Sequence, residues 1–465
     1  MSGRMSWIGD KADAYFGISE RGSTLSAEIR GGAITFLSMS YILVVNPYIL
    51  GPAAEGYTFS QLFTATALAS IVACVLMGVY SRFPMALAPG MGVNAFLSYT
   101  ICLGMGFSFE QGLMVVLISG ALFFLITVTG LRARIIDAIP VSMKLAITAG
   151  IGLFISIIGL FNSGIISHGA ASALSFGVLS DPGILLSIFC LVVTVALWFR
   201  GHWFAVIGGM ASAWVLGMCL TACGIGSEYG LLPALDDGGM VSPPDFALFG
   251  KVFTEFSFIE GGMLVPFIAA VVSLFVVDMF DTTGTLIGVG SAAGMVDGEG
   301  RIAGGDRAMV SDAVGSVVGA VCGTCTTTSF VESVTGIESG ARTGILPLVV
   351  ATLFAASFLI SGFFATFTSA CTVGALVLVG ILMIKNVVDI DWRDPVVCAS
   401  SFLTIFMMGF TGSITNGIAI GVFVYTAGAL LTGRKGEVSG VMYVLTAVFL
   451  LYFVIIYGAI PNGWV

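Results

Sequence analysis

Residues 264–290, LVPFIAAVVSLFVVDMFDTTGTLIGVG, form an apolar run long enough to cross a bilayer, with Asp278 and Asp281 near its middle. A carboxylate at that depth is costly in lipid, so it must face protein, a cavity or a ligand. The two acids are three residues apart and can share one face of a helix. Thr282, Thr283, Gly284, Thr285 and Gly288 follow, and regular structure is expected to loosen there. A second polar stretch, CGTCTTTSFVESVTG at 322–336, carries Glu332 in its middle. The two stretches are expected to face each other around a binding site inside the membrane. The plainer reading of each acid is structural: a helix cap, or a partner for a distant Lys or Arg. Asp278 fits that plainer reading better than Asp281 or Glu332.

Composition fixes the setting of that run. The chain of 465 residues is 57% hydrophobic and only 9% charged, against about 25% charged in a soluble domain. It is therefore an all-α polytopic membrane protein. A net charge of −9 argues against nucleic acid as a partner. The 9 cysteines fall mostly in apolar segments, as free thiols would. Cys322 and Cys325 form a CxxC, but no second pair or nearby His completes a zinc set, so neither metal nor cofactor is expected. His168 and His202 lie near helix ends, as interfacial residues. Residues 1–28 are charged and show no apolar leader, so the first span would direct insertion into the plasma or inner membrane.

Spans follow along the whole chain. The first, 31–50, is expected to kink at Asn46-Pro47. Residues 84–99, PMALAPGMGVNAFLSY, combine two prolines, two glycines and Asn94. They read as an extended strand and then a short helix, with a bent helix as the alternative. Residues 322–336 read the same way, because their threonines accept extended backbone. Irregular backbone at membrane depth is tolerated only where it is buried or lines a cavity. Arg82, Arg132, Arg134, Arg200, Arg301, Arg342, Lys385 and Arg434 occupy alternate connections. The N-terminus is then cytoplasmic and the acidic 222–260 loop extracytoplasmic.

Seven segments at 29–221 and seven more at 261–431 make about fourteen, in two units of opposite orientation. The third and tenth segments are the broken ones, each with a short strand. A C-terminal segment, 432–465, holds a further apolar run at 441–458 that either spans or lies against the membrane. Paired broken elements point to a midplane binding site.

The same residues carry a family resemblance. ALAPGMGVNAF at 86–96, DMFDTTGTLIGV at 278–289, TTTSFVESVTGIESGARTG at 326–344 and the N-terminal 18–50 resemble the signature segments of the AzgA-type adenine, guanine and hypoxanthine permeases. The resemblance covers about residues 13–460. It implies two inverted sevens arranged as a core and a gate domain, often a homodimer, and proton-coupled uptake of purine bases. It also implies that Asp281 and Glu332 contact the base, that Asn94 lies beside it, and that Thr285 sits one turn beyond Asp281. The xanthine and uracil members of the wider group resemble this chain less in the eighth segment.

A purine is planar, with ring donors and acceptors. Glu332 and Asp281 can accept from its N–H groups, flanked by the backbone at Gly92–Asn94 and at Thr328, Ser329 and Phe330. Phe96, Phe280 and Phe330 are stacking candidates. Proton coupling needs a carboxylate that burial brings toward neutrality; Asp281 or Glu332 would serve, with Asp278 and Asp312 in reserve. The competing functions are transport of xanthine or uracil, a small-anion carrier of the same architecture, a channel and an intramembrane enzyme. Two central carboxylates disfavour an anion, no repeated filter sequence suggests a channel, and no catalytic constellation is visible.

Overall fold

The structure is a computed structural model describing residues 11–131, 139–167, 174–234, 243–255, 264–295 and 302–454. Arg132, Arg134, His168, Arg301, the Phe280 side chain and residues 455–458 of the last apolar run lie outside the described residues. In chain order the helices are α1 (Leu25–Met39), α2 (Ile42–Leu50), α3 (Phe59–Leu76), α4 (Met91–Ala95), α5 (Phe109–Val128), α6 (Val141–Asn162), α7 (Pro182–Phe199) and α8 (Ala205–Ala222). There follow α9 (Leu264–Ala292), α10 (Gly305–Cys322), α11 (Ser333–Glu338), α12 (Ile345–Ser357), α13 (Ser361–Ala365), α14 (Ser369–Ile384), α15 (Pro395–Thr411), α16 (Ile414–Leu431) and α17 (Gly440–Phe453). Among the described residues, 9 helical stretches are long and apolar enough to cross a bilayer. Shorter apolar helices occur at Met91–Gly104, Pro266–Met279, Pro395–Thr411 and Gly440–Leu451.

Packing sorts the helices into two groups. In the first, α10 lies against α3 and α5, α12 against α1 and α3, α11 against α1, and α9 against α5. In the second, α14 lies against α6, α7 and α8, and α15 against α6 and α16. Lipid offers little hydrophobic drive for helices to associate, so close backbone approach through small residues holds such groups together.

Among the described residues, four short strands accompany the helices: β1 (Leu87–Pro89), β2 (Ile166–Ser167), β3 (Ser175–Phe176) and β4 (Thr327–Ser329). β2 and β3 make a small hairpin-like pair after α6. β1 and β4 pair antiparallel inside the first group, with Leu87 opposite Ser329, Ala88 opposite Thr328 and Pro89 opposite Thr327. All their residues are buried.

A two-stranded ladder leaves outer edges that water cannot satisfy at this depth. Neighbouring side chains take that role. The Cys74 thiol lies 3.1 Å from the Leu87 carbonyl and 3.2 Å from its N–H. The Ser333 hydroxyl accepts from the Ala86 N–H at 3.0 Å. Two further backbone bonds, Gly90 N–H to Thr326 and Phe330 N–H to Ala86, extend the ladder at both ends.

Two expectations about breaks need correcting. The first span is interrupted at Ser40–Tyr41, not at Asn46-Pro47, and Pro47 lies inside α2. Pro47 removes one donor, but α2 is almost wholly buried and its packing holds the helix through it. The Thr-Gly stretch after Asp281 does not interrupt its helix either, because α9 runs unbroken from Leu264 to Ala292. Tertiary contacts there, including a bond from the Thr282 hydroxyl to Asp312 at 2.6 Å, override weak local propensity.

Candidate substrate site in the membrane

The sequence dictates why the two broken segments cross. Pro84 and Pro89 forbid a continuous helix, and β-branched Thr324, Thr326, Thr327 and Thr328 favour extended backbone. Each strand then turns directly into a helix, α4 after β1 and α11 after β4. Gly90 permits the crossing. A Cβ there would lie 2.6 Å from Thr328 Oγ1, closer than side chains approach each other.

A cavity of about 590 Å³ opens beside the crossing, within the range of ordinary small-molecule sites. One wall comes from the first helix group: Tyr41, the Gly90–Gly92 turn, Asp281, Thr285 and Thr328 through Glu332. The other comes from α6, from the end of α14 and from the turn after it, and it is apolar except for Lys144, Thr148 and Asn386. Gly92 marks a close approach of the two walls, since a Cβ there would sit 2.6 Å from Ile151 Cγ2.

The wall therefore gathers Glu332, Asp281, Thr285, Gly92, Thr328, Ser329 and Phe330. Asp281 accepts from the Thr328 hydroxyl. Glu332 Oε1 accepts from the Tyr41 phenol at 2.5 Å. Ser329 also bonds away from the cavity, donating to Asp312 Oδ1 at 2.9 Å.

Asn94 and Asp278 lie elsewhere. Asn94 is fully buried behind the wall and donates to Asn46 Oδ1 at 2.7 Å. Asn46 in turn donates to Thr66 at 2.7 Å and Thr324 at 2.9 Å. Asp278 is also buried, one turn behind Asp281, and accepts from the Ser316 hydroxyl at 3.0 Å. Phe96 is buried away from the cavity.

Tyr41, Lys144 and Asn386 reach the cavity without having been singled out from the sequence. Tyr41 stands in an apolar span, Lys144 in the first turn of α6 and Asn386 just past the end of α14. Only the polar tip of Tyr41 inside YILVVN could have flagged it. Cys322 and Cys325 are free and buried, and no cluster of three or more His, Cys, Asp or Glu able to hold a metal occurs among the described residues.

Known proteins match this architecture. The family pattern Xan_ur_permease, described as the Permease family, matches residues 26–420. The chain belongs to this Permease family. It is a multi-pass membrane transporter, not an enzyme. It is 39% identical to the guanine/hypoxanthine permease PbuG of Bacillus subtilis over 448 residues, covering 95% of this chain and 99% of PbuG. It is 33% identical to the adenine permease AdeQ of Escherichia coli, covering 95% and 96% of the two chains. In three dimensions it resembles the transmembrane domain of a cyanobacterial bicarbonate transporter, BicA, with a TM-score of 0.58 at 14% identity, covering 90% of this chain and 97% of that one. That likeness concerns the fold alone.

Proposed function

We propose that this permease is a secondary transporter of purine nucleobases of the AzgA type, taking up guanine, hypoxanthine or adenine together with protons. One observation carries the reading. Two carboxylates, Asp281 and Glu332, face an otherwise largely apolar cavity at the crossing of two broken segments. The apolar wall suits the flat faces of a purine, and the carboxylates suit its ring N–H and amino donors. The names of the relatives point to the same ligand class, with two oxopurine permeases at 39% and 36% identity and two adenine permeases at 33% and 32%.

In this reading the two helix groups are a core and a gate, built from two inverted repeats of seven segments. The antiparallel β1–β4 pair supports the inversion. So do two matching helix starts, Asp181-Pro182 at α7 and Asp394-Pro395 at α15, each with an aspartate N-cap. The cavity follows α6 back to Val141 and α14 out to Asn386, ends that adjoin the basic connections. With the N-terminus in the cytoplasm, the molecule is open inward. The gate would be the surface by which two copies pair.

Asp281 and Glu332 share the tasks of binding the base and carrying the proton, with Asn94 and Asp278 supporting from behind. An anion carrier is the second reading, favoured by the fold likeness to a bicarbonate transporter, but carboxylates on the cavity wall would repel its cargo. Uptake of radiolabelled guanine, hypoxanthine, adenine, xanthine and uracil, with and without a protonophore, tests the choice. Saturable, protonophore-sensitive uptake of 6-oxopurines or adenine is expected. Uptake of bicarbonate or sulphate in place of any base would sink the proposal.

A further inference from the structure

We infer that Tyr41 is a positioning residue for substrate recognition: its phenol holds one oxygen of Glu332 and thereby aims the other at the incoming base. The inference rests on the reading of Glu332 as a purine-binding carboxylate.

Tyr41 comes from the break between α1 and α2, 291 residues away from its partner. Tyr41 sits in that break, just before the almost wholly buried α2, and lines the cavity. The contact is not an accident of two loose chains. α1 and α11 are fastened together just beneath it, where Ser38 Oγ lies 3.2 Å from Thr335 Oγ1. They also approach so closely that a Cβ on Gly336 would sit 2.2 Å from Thr35 Oγ1. The donor and the acceptor therefore ride on one rigid pair of helices.

The chemistry follows from that geometry. A phenol donating to a carboxylate makes a charge-assisted bond, and at 2.5 Å this one has the short distance of that class. Oε1 is thus committed to the phenol, while the carboxylate as a whole lines the cavity. A glutamate side chain has several torsions to freeze, and freezing them before the ligand arrives removes part of the cost of binding. Without the phenol the carboxylate could swing toward Thr328, Ser329 or the cavity mouth and would meet the base in the right pose only part of the time. Tyr41 need not touch the base to do this.

The test is purine binding to purified Tyr41→Phe, by calorimetry with hypoxanthine, alongside uptake kinetics and thermal melting. The expected result is an affinity loss of about ten- to hundredfold, the scale of one hydrogen bond to a charged group. Maximal uptake at saturating hypoxanthine and the melting temperature should stay near those of the unsubstituted protein. Tyr41→His, which keeps a ring N–H donor, should recover part of the affinity. Unchanged affinity in Tyr41→Phe overturns the inference, and so does a loss that Tyr41→His deepens, because the ring would then serve packing alone. The Glu332→Gln variant separates this from the site reading. If it binds hypoxanthine normally, the site reading fails; if it loses binding while Tyr41→Phe keeps it, only the role of Tyr41 fails.

Discussion

The two broken segments use one backbone plan with different chemistry. Each runs strand to helix, 87–95 in the first half and 327–338 in the second, and the strands pair in antiparallel register. Behind the first lies a neutral network in which Asn46 ties Thr66, Thr324 and Asn94. Behind the second lies an acidic one, where Asp312 accepts from Thr282 and Ser329 and Asp278 accepts from Ser316. The first segment offers the cavity two glycines and one apolar side chain, at Gly90, Met91 and Gly92. The second offers Thr328, Ser329 and Glu332. Scaffold and charge are thus divided: one half supplies room for close approach, the other the groups that can accept a hydrogen bond or hold a proton.

That division makes its strongest prediction at Glu332. Glu332→Gln keeps the shape but removes the charge, and purine uptake should fall at least about a hundredfold, as expected when a charged hydrogen-bond acceptor within the protein interior is lost. Surface expression should be unchanged. Normal uptake by this variant would end the claim that the second crossing carries the chemistry. The matching attack on the first crossing is steric. Gly90→Ala places a methyl group 2.6 Å from Thr328 Oγ1, and overpacking of this kind costs about 1–3 kcal/mol. The melting temperature should drop and uptake should fall with it, whichever purine is offered. If Gly90→Ala altered the order of preference among purines without lowering stability, the first crossing would be doing more than making room.

Asn94 gives a smaller and more discriminating effect. It belongs to the neutral network and lies off the cavity wall. Asn94→Ala removes the donor to Asn46 Oδ1 and leaves that buried oxygen unpaired, at a cost of about 1–3 kcal/mol. Stability should fall while the relative affinities for guanine, hypoxanthine and adenine stay the same. A selective loss for one base would place Asn94 in direct contact with substrate and blur the contrast between the crossings.

The legibility of these features varied for physical reasons. Proline, glycine and β-branched residues impose local backbone preferences, so both strands could be read at 84–99 and 322–336. Intramembrane acids are costly enough that Asp281 and Glu332 stood out without a structure. Which face of a segment a polar residue turns to is a tertiary matter, and so Asn94, expected beside the base, lies in the layer behind the wall. The break at Tyr41 has no glycine or proline at it; it follows from how α1 and α2 dock, which no local pattern records. The Thr-Gly run after Asp281 was misleading in the opposite sense, because the Thr282 hydroxyl, which would loosen an isolated helix, is here hydrogen-bonded across to α10.

A second comparison, between the two aspartate caps, predicts the smallest effect. Asp181 caps α7 and Asp394 caps α15, and each is tied to the chain just beyond the next helix. Their partners differ. Burial pushes the Asp181 carboxyl up, but the Ser227 hydroxyl and the backbone N–H groups of Glu228, Gly183 and Ile184 outweigh it and hold it below its usual range. Asp394 is held well below the carboxylate range by hydrogen bonds from the Arg434 guanidinium, helped by the N–H groups of Val396 and Val397. In both cases the folded state binds the proton less tightly than the unfolded chain. Each therefore contributes stability above about pH 4, the ordinary aspartate value, and loses it as the pH falls further. Salt should separate them. The Arg434–Asp394 pair is part-exposed, with side-chain exposures of 30% and 22%, and such pairs contribute little and are screened by salt. Raising the salt concentration should weaken the contribution of Asp394, measured as the melting difference between the protein and Asp394→Asn. The same measurement on Asp181→Asn should show little salt dependence, because its partners are neutral. Equal salt sensitivity at the two sites would mean that the ion pair adds nothing to the cap, and the two helix starts would then be equivalent in energy as well as in pattern.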